Sequence, residues 1–210
     1  MRMRLRLAKP VPPAPLSIHW GDSLTAGTGA SSVATSYGAY LANSYSPTHT
    51  YFNGGVGGDT STQILTRVMM VDWVRTYPTV IWAGRNNYAA GATVQSDIAA
   101  IVANLLTPYY LVVSVINGNY PAEYAGQSDY AKIVALNSAL ATTYGSKFVD
   151  VRTPLVNAYN PAIPQDVTDH TNDIPPSSNR FDNIHQLDAG YVVVANTIKA
   201  AMVANSWPGF

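Results

Sequence analysis

The chain has 210 residues, 47% of them hydrophobic, with 12 basic and 12 acidic side chains and no cysteine. Zero net charge leaves no basic footprint for a nucleic acid, and the lack of cysteine excludes disulfides, thiolate metal sites and a cysteine nucleophile. No apolar stretch approaches the roughly 20 residues that span a bilayer, so we expect no membrane span. Only 11% of the residues are charged, against about 25% on average, which favours a neutral partner such as a sugar.

The first 15 residues carry four basic side chains and four prolines. Their positive start resembles the n-region of a signal peptide, but no uncharged apolar region follows it. We therefore expect a flexible tail or linker remnant over 1–15 and a single domain over 16–210. Neither a cytoplasmic nor an exported location is specified by this segment.

Short apolar runs alternate with helical patterns along the rest of the chain. Unalternated runs of this kind predict parallel strands that are covered on both faces; they lie at 16–20, 50–53, 79–84, 109–117 and 147–151. Apolar side chains at helical spacing predict helices between the runs, as over 94–105, 130–144 and 191–202. Thr60 and Gln63 form a capping-box pattern that predicts a further helix start. The alternation predicts an α/β fold, a three-layer α/β/α sandwich whose ligand site lies beyond the carboxyl ends of the strands.

The region 152–181 breaks this alternation. It holds five prolines and no clear period. We expect a long connection without regular structure, which is usually functional or mobile, and a candidate lid that sets the size of the acyl group.

The first motif, "GDSLTAG" over 21–27, follows the first predicted strand. Ser23 stands where that strand stops and a helix should begin, and the amides at a helix start stabilise negative charge. Gly, Asp and Ser are also the residues that turns favour. Thr25 occupies the place of the second glycine in a G-x-S-x-G elbow, so this is not that motif.

Three further motifs follow in chain order. "NGGVGGDT" (53–60) offers glycines whose amides can approach a ligand closely, and it lacks the lysine of a phosphate-binding loop. "AGRNNY" (83–88) places the side-chain amide of Asn86 at the end of the third strand. "FDNIHQLDAGY" (181–191) places Asp182 three residues before His185, where a carboxylate can fix the tautomer that a general base needs.

The four motifs together resemble the SGNH, or GDSL-type, serine hydrolase family, and the likeness extends over residues 16 to 206. The resemblance implies a flavodoxin-like arrangement with a central, mostly parallel five-stranded sheet. It further implies that Ser23 is the nucleophile, His185 the general base and Asp182 its orienting acid. The oxyanion hole would use the backbone N–H groups of Ser23 and Gly58 and the side-chain amide of Asn86. No metal or organic cofactor is implied.

One departure from the family is visible in the third motif, which usually reads G-x-N-D and here has Asn87 in place of the acid. That position generally supports the site, so we expect altered local hydrogen bonding and intact activity. We expect Asp22 to stabilise the turn before the nucleophile. The candidate substrate-binding residues are Asp22, Asn87, Tyr88, Tyr120 and Ile184.

The remaining aromatic and histidine residues have two interpretations each. Trp20, Tyr88, Tyr120 and Tyr124 lie near predicted strand ends and could form an aromatic platform for a sugar, or pack in the core and rim. His19 is expected in the core, and His170, between Asp169 and Asp173, is expected to be solvated in a loop rather than to bind a metal.

The combination favours a serine esterase that removes short acyl groups, acetyl above all, from carbohydrate or small-alcohol esters. A second interpretation is a broad short-chain esterase, an arylesterase, or a thioesterase- or lipase-type hydrolase. A third, of a different class, is a non-catalytic surface-binding module on the same fold, such as a domain of a phage-tail assembly. The presence of all of Ser23, Asp182 and His185 favours an enzyme. The natural ester and the oligomeric state are not specified.

Overall fold

A five-stranded sheet forms the centre of the molecule. The computed structural model describes residues 16–45 and 49–208, so the predicted tail over 1–15 lies outside the described residues. The strands are β1 Leu16–Gly21, β2 Thr50–Gly55, β3 Thr79–Trp82, β4 Tyr110–Val113 and β5 Phe148–Val149. They lie in the order β2-β1-β3-β4-β5, and each neighbouring pair is parallel.

Eight α-helices accompany the strands in the described part of the chain. They are α1 Ser23–Ala26, α2 Tyr37–Asn43, α3 Ser61–Met69, α4 Gly91–Asn104, α5 Ser128–Tyr144, α6 Arg152–Asn157, α7 Pro164–Thr171 and α8 Asp188–Ala204. The predicted capping box is present at the start of α3, where Thr60 and Gln63 each bond the other's backbone amide. Within residues 16–45 and 49–208, no helix is long and apolar enough to cross a membrane.

Two apolar cores, one on each face of the sheet, give the three layers. In β4, Leu111 and Val113 pack into the core shared with α2, α6 and α8. Val112, between them, packs into the core shared with α3, α4 and α5. Because successive side chains of a strand point to opposite faces, a strand covered on both sides is expected to be apolar at most of its positions. This confirms the predicted α/β/α sandwich with its parallel five-stranded sheet.

The fourth apolar run is longer than its strand. β4 ends at Val113, whereas the run was predicted to extend to residue 117. Both backbone polar groups of Val115 are bonded by the side chain of Asn137, from α5, at 2.8 Å. A side-chain amide therefore replaces a neighbouring strand, and the segment stays buried without being part of the sheet.

The region 152–181 is not the structureless connection that the sequence predicted. It contains α6 and α7, and Pro164 opens α7 at a position where proline is well tolerated. The buried face of α7 carries the carboxylates of Asp166 and Asp169. Asp169 pairs with Arg180 at 2.7 Å, and Asp166 accepts hydrogen bonds from Ser177 and Ser178. A helix that buries acids shows no apolar period, which is why the pattern gave no sign of it.

Candidate active site

Three of the four motifs lie at the carboxyl ends of three adjacent strands. Ser23 is the first residue of α1 and follows β1 directly, Gly58 lies in the loop after β2, and Asn86 follows β3. The approach of α1 to β2 requires glycine: a Cβ on Gly55 would lie 2.1 Å from the backbone nitrogen of Ala26. The fold thus holds the serine close to the glycine-rich loop.

The fourth motif brings a histidine and an acid to the serine. Nε2 of His185 lies 2.8 Å from Oγ of Ser23, and Nδ1 of His185 lies 2.7 Å from Oδ2 of Asp182. When Nδ1–H donates to the carboxylate, Nε2 presents its lone pair to the serine hydroxyl. This arrangement can move a proton from Ser23 to His185.

Asp182 is itself held in place by its own loop. Its Oδ1 accepts the backbone N–H groups of Ile184 and His185, each at 2.8 Å. Partial burial acts to raise the pKa of Asp182, but the hydrogen bonds from the His185 ring and from these two amides outweigh it and leave the pKa below its ordinary value. The acid is therefore ionised at neutral pH, as an acceptor for Nδ1–H must be.

Asp22 lies beneath the serine and faces the interior. Its carboxylate caps α1 by accepting the Leu24 backbone N–H at 2.9 Å, and only 1% of the residue is exposed. Burial raises the pKa of Asp22 to about 6 against the partial compensation of that hydrogen bond. The expected turn-stabilising contact is thus present. A substrate-binding role would require Asp22 to line the cleft beside Ser23, and it does not.

Ser23 and His185 open into a cleft of about 620 Å³. It is lined by Ser23, Thr28, Gly57, Gly58, Arg85, Asn86, Tyr88, Tyr120, Glu123, Ile184 and His185. The structure therefore brings three of the candidate substrate-binding residues, Tyr88, Tyr120 and Ile184, beside the serine. Residues 152–181 contribute no side chain to this lining, so the expected lid makes no contact with the cleft in this structure.

Gly58 and Asn86 offer hydrogen-bond donors on the cleft wall. Gly58 has a φ of 82°, a backbone conformation that favours glycine. Nδ2 of Asn86 donates one hydrogen to the carbonyl of Asp59 at 2.9 Å. An amide nitrogen carries two hydrogens, so the second remains for a ligand while the first fixes the side chain.

Asn87 is turned away from the cleft and ties α3 to the third motif. Its Oδ1 accepts the backbone N–H of Ser61 at 3.0 Å, and its Nδ2 donates to Ser61 Oγ at 2.9 Å. Ser61 Oγ in turn donates to the buried carboxylate of Asp97 at 2.6 Å. Because Ser61 Oγ already donates its hydrogen to Asp97, it can only accept from the side chain at position 87. An amide can donate that bond and a carboxylate cannot, so Asn87 fits this site where the family's acid would not.

The aromatic and histidine candidates divide in the same way. Trp20 is 2% exposed and packs in the core, and the Tyr124 hydroxyl bonds Asn119; neither lines the cleft. His19 is buried as expected, stacked on Tyr37, and burial lowers its pKa to about 3. His170 lies in α7, not in a loop, and stacks on Tyr159. Among the described residues, no group of three or more acids and histidines could hold a metal ion.

Two arginines, one in the cleft lining and one behind it, make contacts that the motifs did not predict. Arg67 donates to the carbonyls of Gly21 and Gly54, at the ends of β1 and β2, and pairs with Asp59 at 2.7 Å. Arg85 lines the cleft and pairs with Glu123 at 2.8 Å. Arg85 stands inside the third motif, directly before Asn86, and this position could have marked it as a candidate site residue. No sequence pattern marks Arg67, apart from the small number of charged residues in the chain.

Comparison with known proteins identifies one family. The family model described as "GDSL-like Lipase/Acylhydrolase family" matches residues 20–193. A tail spike protein of Salmonella phage epsilon15 is 29% identical over 143 residues, which are 62% of this chain and 13% of that protein. The chain thus spans about an eighth of the length of this relative.

Solved structures share the fold at low sequence identity. A protein of the G-D-S-L family from Desulfitobacterium hafniense superposes with a TM-score of 0.65 and 15% identity, over 89% of this chain and 98% of its own. An acetylxylan esterase from Geobacillus stearothermophilus gives a TM-score of 0.65 and 16% identity, over 90% and 94% of the two chains.

Proposed function

The chain belongs to the GDSL-like lipase/acylhydrolase family, and we propose that it is a carboxylic ester hydrolase that removes short acyl groups, acetyl above all, from carbohydrate esters through an acyl-enzyme on Ser23. The observation that carries this proposal is the 2.8 Å contact between Ser23 Oγ and His185 Nε2 in an open cleft that is lined mainly by residues with polar or aromatic side chains.

The proposed reaction assigns one task to each group. His185 Nε2 takes the hydroxyl proton as Ser23 Oγ attacks the ester carbonyl carbon. The oxyanion that forms is held by the backbone N–H groups of Ser23 and Gly58 and by the Asn86 amide; removing one such donor typically costs about 3–4 kcal/mol of barrier. The leaving alcohol then receives the proton from His185.

The second half of the reaction repeats these steps with water. His185 takes a proton from a water molecule whose oxygen attacks the acyl carbon, and the bond to Ser23 Oγ breaks as the proton returns to the serine. Asp182 accepts the hydrogen bond from Nδ1–H throughout and stabilises the imidazolium that forms in each half.

The composition of the cleft supports a short acyl group. Ile184 is the only aliphatic side chain in the described lining. A long acyl chain gains about 0.8 kcal/mol for each methylene buried, and a lining with one aliphatic side chain gives such a chain few aliphatic contacts. The exposed tyrosine ring of Tyr120 and the polar groups suit a sugar better. The fold shared with an acetylxylan esterase points the same way.

A comparison of kcat/KM on different esters tests the proposal. We expect kcat/KM to fall from p-nitrophenyl acetate to the butyrate and octanoate, and to be higher on acetylated xylo- or manno-oligosaccharides than on p-nitrophenyl acetate. A maximum at octanoate or longer chains would contradict the short-acyl assignment. Turnover of simple acetates without turnover of any acetylated sugar would contradict the carbohydrate assignment and leave a broad short-chain esterase.

The match to part of a tail spike protein favours a second candidate. On this interpretation the domain is a binding module of a phage-tail assembly and performs no turnover. Acetate release distinguishes this candidate from the esterase. A folded protein that binds acetylated saccharides without releasing acetate would favour the binding module.

A further inference from the structure

A buried ion pair forms part of the cleft wall. Nη2 of Arg85 lies 2.8 Å from Oε1 of Glu123, and the two side chains are only 10% and 5% exposed. Oε2 of Glu123 accepts the Gly118 backbone N–H at 2.7 Å, and the Tyr88 hydroxyl, whose single hydrogen is shared between two carboxylates, lies 3.2 Å from Oε1 of Glu123 and 3.2 Å from Oδ2 of Asp129. Glu123 is therefore fully engaged and holds the guanidinium in a fixed position.

The arginine of this pair is not fully engaged. Nη1 of Arg85 is buried and has no hydrogen-bond partner among the described residues. A buried donor without an acceptor costs free energy, and such groups are rare in native proteins. Because Arg85 lines the cleft beside Ser23, this open donor is available to a group that binds there.

Two tyrosine rings flank the guanidinium. Its carbon lies 5.2 Å from the centre of the Tyr88 ring and 5.8 Å from that of Tyr120. Tyr120 is 38% exposed, and its loop is anchored by the Asn119 N–H, which donates to the Asn183 carbonyl at 2.7 Å. Exposed side chains change rotamer readily, and a rotation of the Tyr120 ring is the movement by which we expect a ligand to gain access to Nη1.

The charge balance of the wall decides which ligand fits. Glu123 neutralises Arg85, so a carboxylate bonded to Nη1 would also lie near the Glu123 charge and be repelled. A hydroxyl oxygen meets no such repulsion and can accept from Nη1. A neutral sugar fits this wall, because its ring carries hydroxyl groups, has no charge and can pack against an aromatic face.

We propose that Arg85 is a specificity-determining residue for the alcohol half of the substrate: Nη1 donates to a hydroxyl oxygen of a neutral sugar whose ring lies against Tyr120. This deepens the proposed function and rests on it. It adds the residue that would distinguish a sugar ester from a simple alkyl or aryl ester.

The test compares two substrates in matched variants. Arg85→Lys keeps a positive charge beside Glu123 but loses the planar fork. We expect kcat/KM on acetylated xylo-oligosaccharide to fall about 10- to 100-fold, the usual effect of one lost hydrogen bond to a charged group, with a much smaller fall on p-nitrophenyl acetate. Tyr120→Ala should give the same split. Arg75→Lys, the same change at an arginine that bonds the Asn104 carbonyl away from the cleft, should change neither activity.

Equal losses on both substrates, or no loss on either, would overturn the proposal while the function stands. A larger effect of Arg85→Lys on acetylated uronic-acid oligosaccharides would overturn the choice of a neutral sugar. Should the wild-type protein fail to hydrolyse acetylated sugars, calorimetry with deacetylated xylo-oligosaccharide separates the two ideas. Binding that weakens in Arg85→Lys would support the subsite although the proposed function had failed, and absence of binding would overturn both.

Discussion

Oγ of Ser23 lies 2.8 Å from Nε2 of His185, although 162 positions separate the two residues in the chain. The serine follows β1, the second strand in the order of the sheet, and the histidine lies three residues before the start of the last helix, α8. A loop that bonds its own Asp182 three times sets the angle of the imidazole. The contact therefore depends on the sheet topology at one side and on three local hydrogen bonds at the other.

The side-chain amide of Asn86 is expected to act in the transition state. We expect Asn86→Ala to lower kcat by about 10²- to 10³-fold, with a much smaller change in KM, because the donor serves charge that develops only during the reaction. Steady-state kinetics on p-nitrophenyl acetate measure both constants, with Asn43→Ala, an exposed position on α2, as the control. A rise in KM with unchanged kcat would show that Asn86 binds the ground state instead.

The charge of Asp182 should matter more than its shape. Asp182→Asn retains the size of the side chain but removes the anion that accepts Nδ1–H and stabilises the imidazolium, so we expect kcat to fall on the order of 10³- to 10⁴-fold. Circular dichroism should be unchanged. Asp72→Asn, at a side chain that is 92% exposed, is the matched control. A loss below tenfold at position 182 would remove Asp182 from its proposed role.

The raised pKa of Asp22 predicts a stability change with a defined sign. A carboxyl whose pKa rises on folding from 3.8 to about 6 binds protons more tightly in the folded state, so its contribution to stability falls as the pH rises from about 4 to about 6 and is constant above. Asp22→Asn keeps an oxygen for the Leu24 N–H and cannot ionise. We expect it to raise the free energy of unfolding by about 1–3 kcal/mol at pH 8 and by little at pH 4.

Urea denaturation of both proteins at the two pH values measures this difference directly. A gain of equal size at pH 4 and pH 8 would mean that the substitution acts through packing and not through the charge of Asp22.

Arg67 is expected to act as a positioning residue. It lies outside the lining of the cleft, but it joins the ends of β1 and β2 and pairs with Asp59, whose carbonyl accepts from Asn86. We expect Arg67→Met to lower the free energy of unfolding by about 2–4 kcal/mol, because the Asp59 carboxylate loses its partner. It should also lower kcat at least tenfold through displaced donors, with KM changed less.

The matched change Arg75→Met, at an arginine that bonds one carbonyl and a largely exposed acid, should cost less stability and leave kcat unchanged. Rescue of kcat by Arg67→Lys without recovery of stability would indicate that charge alone, and not the bridging of two strand ends, is what the site needs.

Structural features that arise from local apolar patterns could be predicted from the sequence, and those that depend on distant polar contacts could not. The strands were found because a sheet covered on both faces needs mostly apolar strands. The fourth apolar run extends beyond its strand because the Asn137 side chain bonds the backbone there, which no local pattern reveals. Helix α7 was missed because its buried side carries Asp166 and Asp169, whose partners lie in later segments.

The site shows the same division. Ser23, Asn86 and His185 stand in motifs beside predicted elements, and the resemblance of these motifs to the GDSL-type family singled out all three together with Gly58. Arg67 and Arg85 act through contacts 8 to 46 positions away in the chain, so only the folded structure could show what they join. The cleft itself and the contact of Asn87 with Ser61 likewise depend on the folded structure.

The central claim is that Ser23 is an activated nucleophile, and covalent labelling tests it most directly. Treatment with a fluorophosphonate probe followed by peptide mapping should place one label per chain on Ser23, and Ser23→Ala, folded by circular dichroism, should take up none. A folded wild-type protein that takes up no label, or carries it on another residue while Ser23 stays unmodified, would contradict the claim.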